Sequence, residues 1–506
     1  MTKNIKTIGI VGGGTAGYLT ALTLKKYSPE FNVTLIESSE VPIIGIGEAT
    51  VQSIPKFFHE TLGFDVAEFF KEVRPTIKMG IKFKWGLPGD YFFNQAFSPC
   101  DPEAAIATAG DINAGSLASC LMGSNKTFLY QSVLSGEQQP LIRPAGEKTY
   151  YAYHLDNRLL IKYLHKKVME SGVVIIDRKI DRVFRSEHEN AIEALQTSDN
   201  EKFSYDLYFD CSGFRSLLLE QALKSNFIDY RDSLFCDRAL ACSLPKEGDR
   251  AYSTATTMPS GWLWDIPLRD SDNIGYVYSS DFCTDLEAEN TLDQRFSGIS
   301  NSRVIKFKTG RHEHCCLGNV VAVGNAYGFV EPLQSTGIHM IIRTIKQVAE
   351  PLRKGFLTED DKANINSALN EKWDHIRWFL SMHFKFNKRL DTDFWQECRS
   401  QVDVSGYKDI LELYKSNGPL KFSSERIKEM TRIRLDKANI GRCGIDLMMM
   451  GQGEVCNSIM TGSKKERFKG MRQKQAIWKQ LVQNSLTHKE ALAAIERQPE
   501  LLGFSY

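Results

Sequence analysis

Several stretches of the 506-residue sequence hold residue types and spacings that can do chemistry. The first is Ile8-Gly-Ile-Val-Gly-Gly-Gly-Thr-Ala-Gly17, in which Gly12, Gly14 and Gly17 form G-x-G-x-x-G behind a short apolar strand, with Thr15 and Ala16 inside the turn. Such glycines permit a tight turn, backbone approach to a pyrophosphate and close helix–strand packing, and the next helix presents free N–H groups to the phosphates. A helical pattern from Tyr18 to Lys26 follows, then the strand Val33-Thr-Leu-Ile-Glu37. Glu37 lies about 20 residues past Gly17, where an acid can hold a ribose hydroxyl. This fingerprint does not separate NAD from FAD.

A second glycine-spaced turn, Ile43-Ile-Gly-Ile-Gly-Glu-Ala-Thr50, lies close enough in sequence for Gly47, Glu48 and Ala49 to line the same cofactor, or to serve as an ordinary connection. Asn319 to Ile338 reads as a buried strand, a glycine-containing turn and a polar loop, Gln334-Ser-Thr-Gly337, opening a helix from Met340 to Leu352. That helix N-terminus offers N–H groups to flavin oxygens, a phosphate or a halide. In Ile77 to Trp85, apolar residues alternate with Lys78, Gly80, Lys82 and Lys84, which predicts one half-buried strand with its lysines on the solvated face. Trp262 and Trp264 share one face of a strand that Pro267 ends, a spacing that by itself predicts core.

The remaining candidates are weaker. His312, His314 and Cys316 alternate like one strand face, but no fourth ligand accompanies them, and no metal site is expected. Lys464 to Lys474 reads as a solvated basic face, and Thr487-His-Lys-Glu490 as a capping box for a last helix. Cys211 and Cys236 have no base nearby in sequence that would activate a thiol.

These pieces need a scaffold, and the chain is long enough for two or three domains or one large fold with insertions. A net charge of +1 with 25% charged residues argues against a general nucleic-acid or membrane role. There is no apolar run of spanning length and no signal-peptide pattern. Eleven cysteines without a C-x-x-C pair suggest free thiols, and together these make the cytoplasm the expected location. Residues 86–150 show little periodicity and read as an insertion covering the active face. Beyond them come a helix from Asp156 to Met169, a buried strand Val173 to Ile176, a meander from Arg182 to Phe209 turning near Glu189-Asn190 and Asp199-Asn200, and a closing strand ending at Asp210-Cys-Ser-Gly213. Helical patterning also covers Val51 to Phe70.

Strand, helix and meander in this order predict an α/β (α+β) chain. The expected architecture is a Rossmann-type FAD-binding domain of the flavin monooxygenase kind, an inserted β-rich substrate domain and a mostly helical C-terminal part. The expected division is a discontinuous FAD-binding module (1–85, 151–236 and 310–355), substrate-covering and β-rich segments (86–150 and 237–309), and a helical substrate-side region (356–506).

The glycine turn, Gly45-Ile-Gly-Glu-Ala-Thr50, Lys78 in Lys-Met-Gly-Ile-Lys-Phe, Tyr153-His-Leu-Asp156, Asp210-Cys-Ser-Gly-Phe-Arg215, Trp262-x-Trp264-x-Ile266-Pro267 and Phe329-Val-Glu-Pro-Leu-x-Ser-Thr-Gly337 together resemble the flavin-dependent halogenases of the tryptophan halogenase family. The resemblance runs from the N-terminus through Phe394-Trp395, with a further family-like Gly451-Gln-Gly453. It implies FAD, O2 and a halide as co-reactants, with reduced FAD supplied by a separate flavin reductase. Cofactor contacts are implied at the glycine turn, Glu37, Gly47 to Ala49, Val183, Asn325 and Ile338, and halide contacts at Thr336 and Gly337. Trp262, Trp264, Ile266 and Pro267 are implied to separate flavin from substrate. Hypohalous acid would pass inside the protein to Lys78, which would present the halogen to an electron-rich aromatic carbon.

Tryptophan-directed members carry a glutamate where this chain has Gln334, and an amide cannot take up the arenium proton. Arg426 to Met450 is basic and apolar where an aromatic and acidic cluster would grip the amino-acid end of free tryptophan. The expected substrate is therefore an indole, phenol or similar activated arene, free or borne on a carrier or peptide, rather than free tryptophan. A monooxygenase of an aromatic substrate and a non-catalytic FAD-binding relative remain open, as does a homo-oligomer.

Overall fold

The apolar run Thr7–Val11 becomes the middle of a six-stranded sheet, with Ile8 and Ile10 fully buried. Its order is Cys316–Leu317, Val320–Ala322, Leu207–Asp210, Thr7–Val11, Asn32–Glu37 and Val174–Asp177; all neighbours are parallel except the first pair. Helices Thr15–Tyr27, Asn157–Glu170 and Gly337–Leu352 accompany it, the first touching the other two. The computed structural model describes residues 4–41, 47–98, 111–132, 150–187, 190–420, 441–454 and 464–503. The Rossmann-type α/β architecture read from the sequence is the one observed. The glycine turn sits at the carboxyl end of Thr7–Val11, between neighbours reached in opposite directions, which is where such sheets form a ligand crevice.

Three local expectations need correcting. Val174–Asp177 is the sheet's outer strand, with Val174 58% exposed, because its far edge has no neighbour in the sheet. The meander is a three-stranded sheet of Ile180–Arg185, Ile192–Thr197 and Lys202–Phe203; Leu207–Asp210 leaves it for the parallel sheet. Its second turn carries Asn200 at φ 69°, while Glu189 of the first lies outside the described residues. The helical stretch from Val51 divides into Ser53–Lys56, a wide turn Phe57–Thr61 and Val66–Glu72. Gly63, at φ 75°, precedes the last of these, and the Asp65 carboxylate caps it.

The strand expected over Ile77–Trp85 is two strands in different sheets. Thr76–Lys78 pairs with Ala152–Asp156, which also carries Gly47–Ala49. Gly80–Lys84 instead enters a seven-stranded sheet ordered Ser300–Lys306, Arg238–Pro245, Ser271–Tyr278, Gly261–Pro267, Ser253–Met258, Gly80–Lys84 and Phe93–Ala96. At the break, the Met79 N–H donates to the Ala251 carbonyl and its own carbonyl accepts from Phe97. The three lysines therefore do not share a solvated face: Lys84 is exposed, Lys82 half-buried and Lys78 has no exposed surface.

The weakly periodic 86–150 stretch contains, in its described part, the strands Phe93–Ala96 and Lys126–Tyr130 and the helix Leu117–Gly123 capped by Ser116. Lys126–Tyr130 pairs with Ser485–Thr487 near the C-terminus. Thr487 and Glu490 form the expected capping box of His488–Arg497.

Within the large sheet, Trp264 lies across from Gly275, and a Cβ on Gly275 would stand 2.0 Å from the Trp264 ring. Glycine there lets the indole lie flat on the neighbouring strand. Gly275→Ala is expected to destabilise the fold by about 1–3 kcal/mol through overpacking. A thermal melt checks this, and an unchanged midpoint would contradict the packing.

Candidate functional site

The carboxyl end of the parallel sheet opens into a cavity of about 740 Å³ that also reaches the tryptophan face of the seven-stranded sheet. Gly12 holds φ 118° and a Cβ there would lie 2.4 Å from the Cys211 carbonyl oxygen; a Cβ on Gly17 would lie 1.8 Å from the Gly12 carbonyl oxygen. Gly14 faces open space. Glycine is thus demanded for chain reversal and close packing at two positions, and the third leaves room for a ligand, as a dinucleotide pyrophosphate requires.

Two helix N-termini meet this cavity. Neither Gly14, before Thr15–Tyr27, nor Thr336, before Gly337–Leu352, caps its helix with a side chain, so the leading N–H groups are left for another acceptor. Both ends carry positive dipole charge, which suits the phosphates of a dinucleotide at one and a second anion at the other. Glu37 lines the cavity, accepting from the Tyr18 hydroxyl at 2.6 Å. Glu48 also lines it, and burial pushes its carboxyl up to about 7.

Of the residues singled out from the sequence, Gly12, Gly14, Thr15, Ala16, Glu37, Gly47, Glu48, Ala49, Trp262, Trp264, Ile266, Asn325, Thr336, Gly337 and Ile338 all border this one space. Gly17 packs beneath the turn, and Pro267 accepts a hydrogen bond from the Thr76 hydroxyl. Val183 does not join them: it pairs with Leu195 inside the three-stranded sheet, and Arg178, Lys179 and Ile180 border the cavity at that end.

Lys78 and Gln334 lie behind the Ser335 side of the cavity. The Lys78 amine donates to the Thr50 carbonyl at 2.9 Å and to Ser335 Oγ at 2.7 Å, with the Phe97 ring centroid 5.4 Å away. No carboxylate pairs with it among the described residues, and burial holds its pKa well below the usual lysine value. Ser335, which borders the cavity, holds a left-handed φ of 57°, an unfavourable backbone for a non-glycine residue. Its neighbour Gln334 donates both amide hydrogens, to Gln95 Oε1 at 2.8 Å and to His383 Nε2 at 2.7 Å. His383 Nδ1 donates to the Phe379 carbonyl at 2.9 Å, leaving Nε2 as acceptor, and burial pushes its pKa down to about 4. The position of the family's glutamate is therefore lined by acceptors that call for an amide. Gln95 and His383 were not apparent from the sequence: one sits in a weakly periodic stretch, the other inside the long helix Glu359–Lys385.

His312 and Cys316 fall on separate strands, Gly310–His312 and Cys316–Leu317. His312 is near Ser225 and Glu220, and the Cys316 N–H donates to Asn366. Among the described residues no cluster has the makings of a metal site. Cys211 packs against Thr20 and Cys236 is fully buried; burial raises both thiols, the reverse of activation. Lys464 to Lys474 lies on the helix Lys464–Gln483. Most of Arg426 to Met450 is outside the described residues; its end is in the helix Gly441–Gly451, where Met448 and Met449 are buried. No helix among the described residues is long and apolar enough to cross a membrane.

Comparison with known proteins agrees with this geometry. The sequence model of the tryptophan halogenase family matches residues 7–432. The chain is 33% identical over 450 residues to tryptophan 6-halogenase SttH of Streptomyces toxytricini, covering 83% of this chain and 85% of that one. It is 30% identical over 444 residues to tryptophan 7-halogenase RebH of Lentzea aerocolonigenes, covering 82% and 83%. Among solved structures it superposes on MibH, a lathipeptide tryptophan 5-halogenase, with a TM-score of 0.92 and 37% identity over 99% of this chain and 95% of that one. The family match over most of the chain, together with a glycine-turn cavity and a buried lysine beside it, shows that this protein belongs to the tryptophan halogenase family of flavin-dependent halogenases.

Proposed function

We propose that the protein uses reduced FAD, O2 and a halide to halogenate an electron-rich aromatic ring, preferring an indole borne on a peptide to free tryptophan. The observation that carries this reading is the Lys78 amine. A neutral amine has two N–H donors and one lone pair, and here the two acceptors Thr50 O and Ser335 Oγ take up both donors. An ammonium would have a third N–H without a hydrogen-bond acceptor among the described residues. Burial without a counter-charge favours the same neutral form.

When bound, the reduced flavin with O2 and halide supplies hypohalous acid. The chain's own residues do the rest. The glycine turn and Glu37 hold the dinucleotide, and the N–H groups after Thr336 attract the halide. Trp262 and Trp264 cover the flavin side, and Asn325 and Ile338 complete the walls of that chamber. Lys78 orients the hypohalous acid through hydrogen bonding or takes the halogen on its lone pair. The ring carbon then accepts halogen as an electrophile and loses its proton, and the oxygen leaves as water. Gln334 has no basic lone pair for that proton, which restricts the enzyme to activated rings. The peptide preference is supported by the likeness to MibH, a lathipeptide tryptophan 5-halogenase. A separate reductase would supply the reduced flavin.

Incubation with FAD, a flavin reductase, NADH and bromide or chloride, over free tryptophan, tryptophan-containing peptides, indoles and phenols, tests the reading by mass spectrometry. Replacement of one hydrogen by one halogen, greatest for peptide-borne indole, is expected; addition of oxygen, or no product, would contradict it. Lys78→Ala should lower halogenation by at least about 100-fold, the scale of losing a positioned proton-transfer or covalent group, and leave flavin oxidation intact. Retained halogenation would remove Lys78 from the role.

Gln334→Glu sets a carboxylate against the acceptor nitrogen of His383, so the histidine should take up a proton and its pKa should rise from about 4. In the wild type the unfolded chain binds that proton first, near 6.5. His383 therefore destabilises the fold as pH falls from 6.5 to 4, by about 3 kcal/mol in all. The variant should lose much of this decline, as read by denaturant melts across that range and by NMR titration of His383. An unchanged pKa would contradict the pairing.

A further inference from the structure

Glu331 lies between Val330 and Pro332, which both border the cavity, yet its own side chain is turned into the protein and has no exposed surface. Its Oε2 accepts from the Trp262 indole N–H at 2.6 Å, and the Cys236 thiol is its other hydrogen-bonding neighbour. Among the described residues no lysine or arginine pairs with it; its polar surroundings are the indole and the buried thiols of Cys236 and Cys398. A carboxylate placed so would be a buried charge without a cationic partner, so burial pushes the carboxyl up to about 8 and favours the neutral acid.

The two tryptophans are secured by different means. Trp264 is wedged on Gly275, and its N–H reaches Asn273 only at 3.5 Å. Trp262 meets Trp264 edge-on, with centroids 6.2 Å apart, and its single short polar contact is the bond to Glu331. Its opposite strand neighbours are Val277, which is apolar, and Thr257, whose hydroxyl donates to the Lys84 carbonyl and accepts from the Asn387 amide.

We propose that Glu331 is a positioning residue that holds the Trp262 indole in the wall between the flavin cavity and the Lys78 side, and so confines the oxidised halogen on its way to Lys78. The proposal rests on the reading that Trp262 belongs to that partition. It needs no charge on Glu331. A carboxamide can accept from the indole N–H equally well, whereas an apolar residue of similar size leaves the indole free to turn.

The test is the fraction of hypohalous acid that escapes to bulk solution during oxidation of pre-reduced FAD with bromide, read with monochlorodimedone as trap and normalised to flavin oxidised. Glu331→Leu should raise escape about threefold to tenfold, the span expected for one buried hydrogen bond, while Glu331→Gln stays near wild type. Trp262→Phe keeps an aromatic wall but removes the donor, and should leak like Glu331→Leu; it also carries the test if Glu331→Leu fails to fold. Wild-type escape in Trp262→Phe and Glu331→Leu, with a raised escape in Trp262→Leu, would overturn the role of Glu331 and leave the partition standing. Wild-type escape in Trp262→Leu as well would overturn the partition and the proposal with it.

Discussion

The structure depends on a lysine amine buried without a counter-charge. Lys78 could have been an ordinary strand lysine, as Lys84 is, had the chain continued straight from Ile77 to Trp85. The break at Met79 sends the two halves into different sheets and turns Lys78 inward between a backbone carbonyl and a serine hydroxyl. A charged amine in that place would lose far more hydration than two neutral acceptors return. Such burial favours the uncharged form of the amine, and it does so without a carboxylate partner among the described residues.

Around that amine the molecule separates two environments. On the cavity side, two uncapped helix ends and the glycine turn create a field suited to anions. Ser335 stands at the border: it faces the cavity and accepts from Lys78, and its left-handed backbone turns the chain from the Gln334 side chain to the helix start at Gly337. On the far side Gln334 is tied to Gln95 and His383, so its amide is part of a neutral network. Charge is concentrated where flavin and halide would bind and is kept low where an aromatic ring would meet the halogen.

Much of this was legible in the sequence, for identifiable reasons. Gly12, Gly14, Gly17 and Glu37 are set by local geometry, since a turn between strand and helix leaves few alternatives. The Trp262–Pro267 strand declared itself by alternation. Periodicity places Lys78 on a solvated face because alternation reports a face and not which sheet that face belongs to; only its motif points to a special position. The apolar run at Val174 predicts burial because such a run does not say whether a strand is central or at the edge. Gln95, His383 and Glu331 act through partners 49 to 239 residues away in the chain, and no local pattern carries that information.

The central claim is that Lys78 is neutral because it is buried between two acceptors. The most direct measurement is the titration of its side-chain amine, followed by NMR of the nitrogen-15-labelled lysines with Lys78→Arg to assign the resonance. The account predicts that this amine titrates well below the other lysines. Titration near the ordinary lysine value of about 10.4 would contradict it.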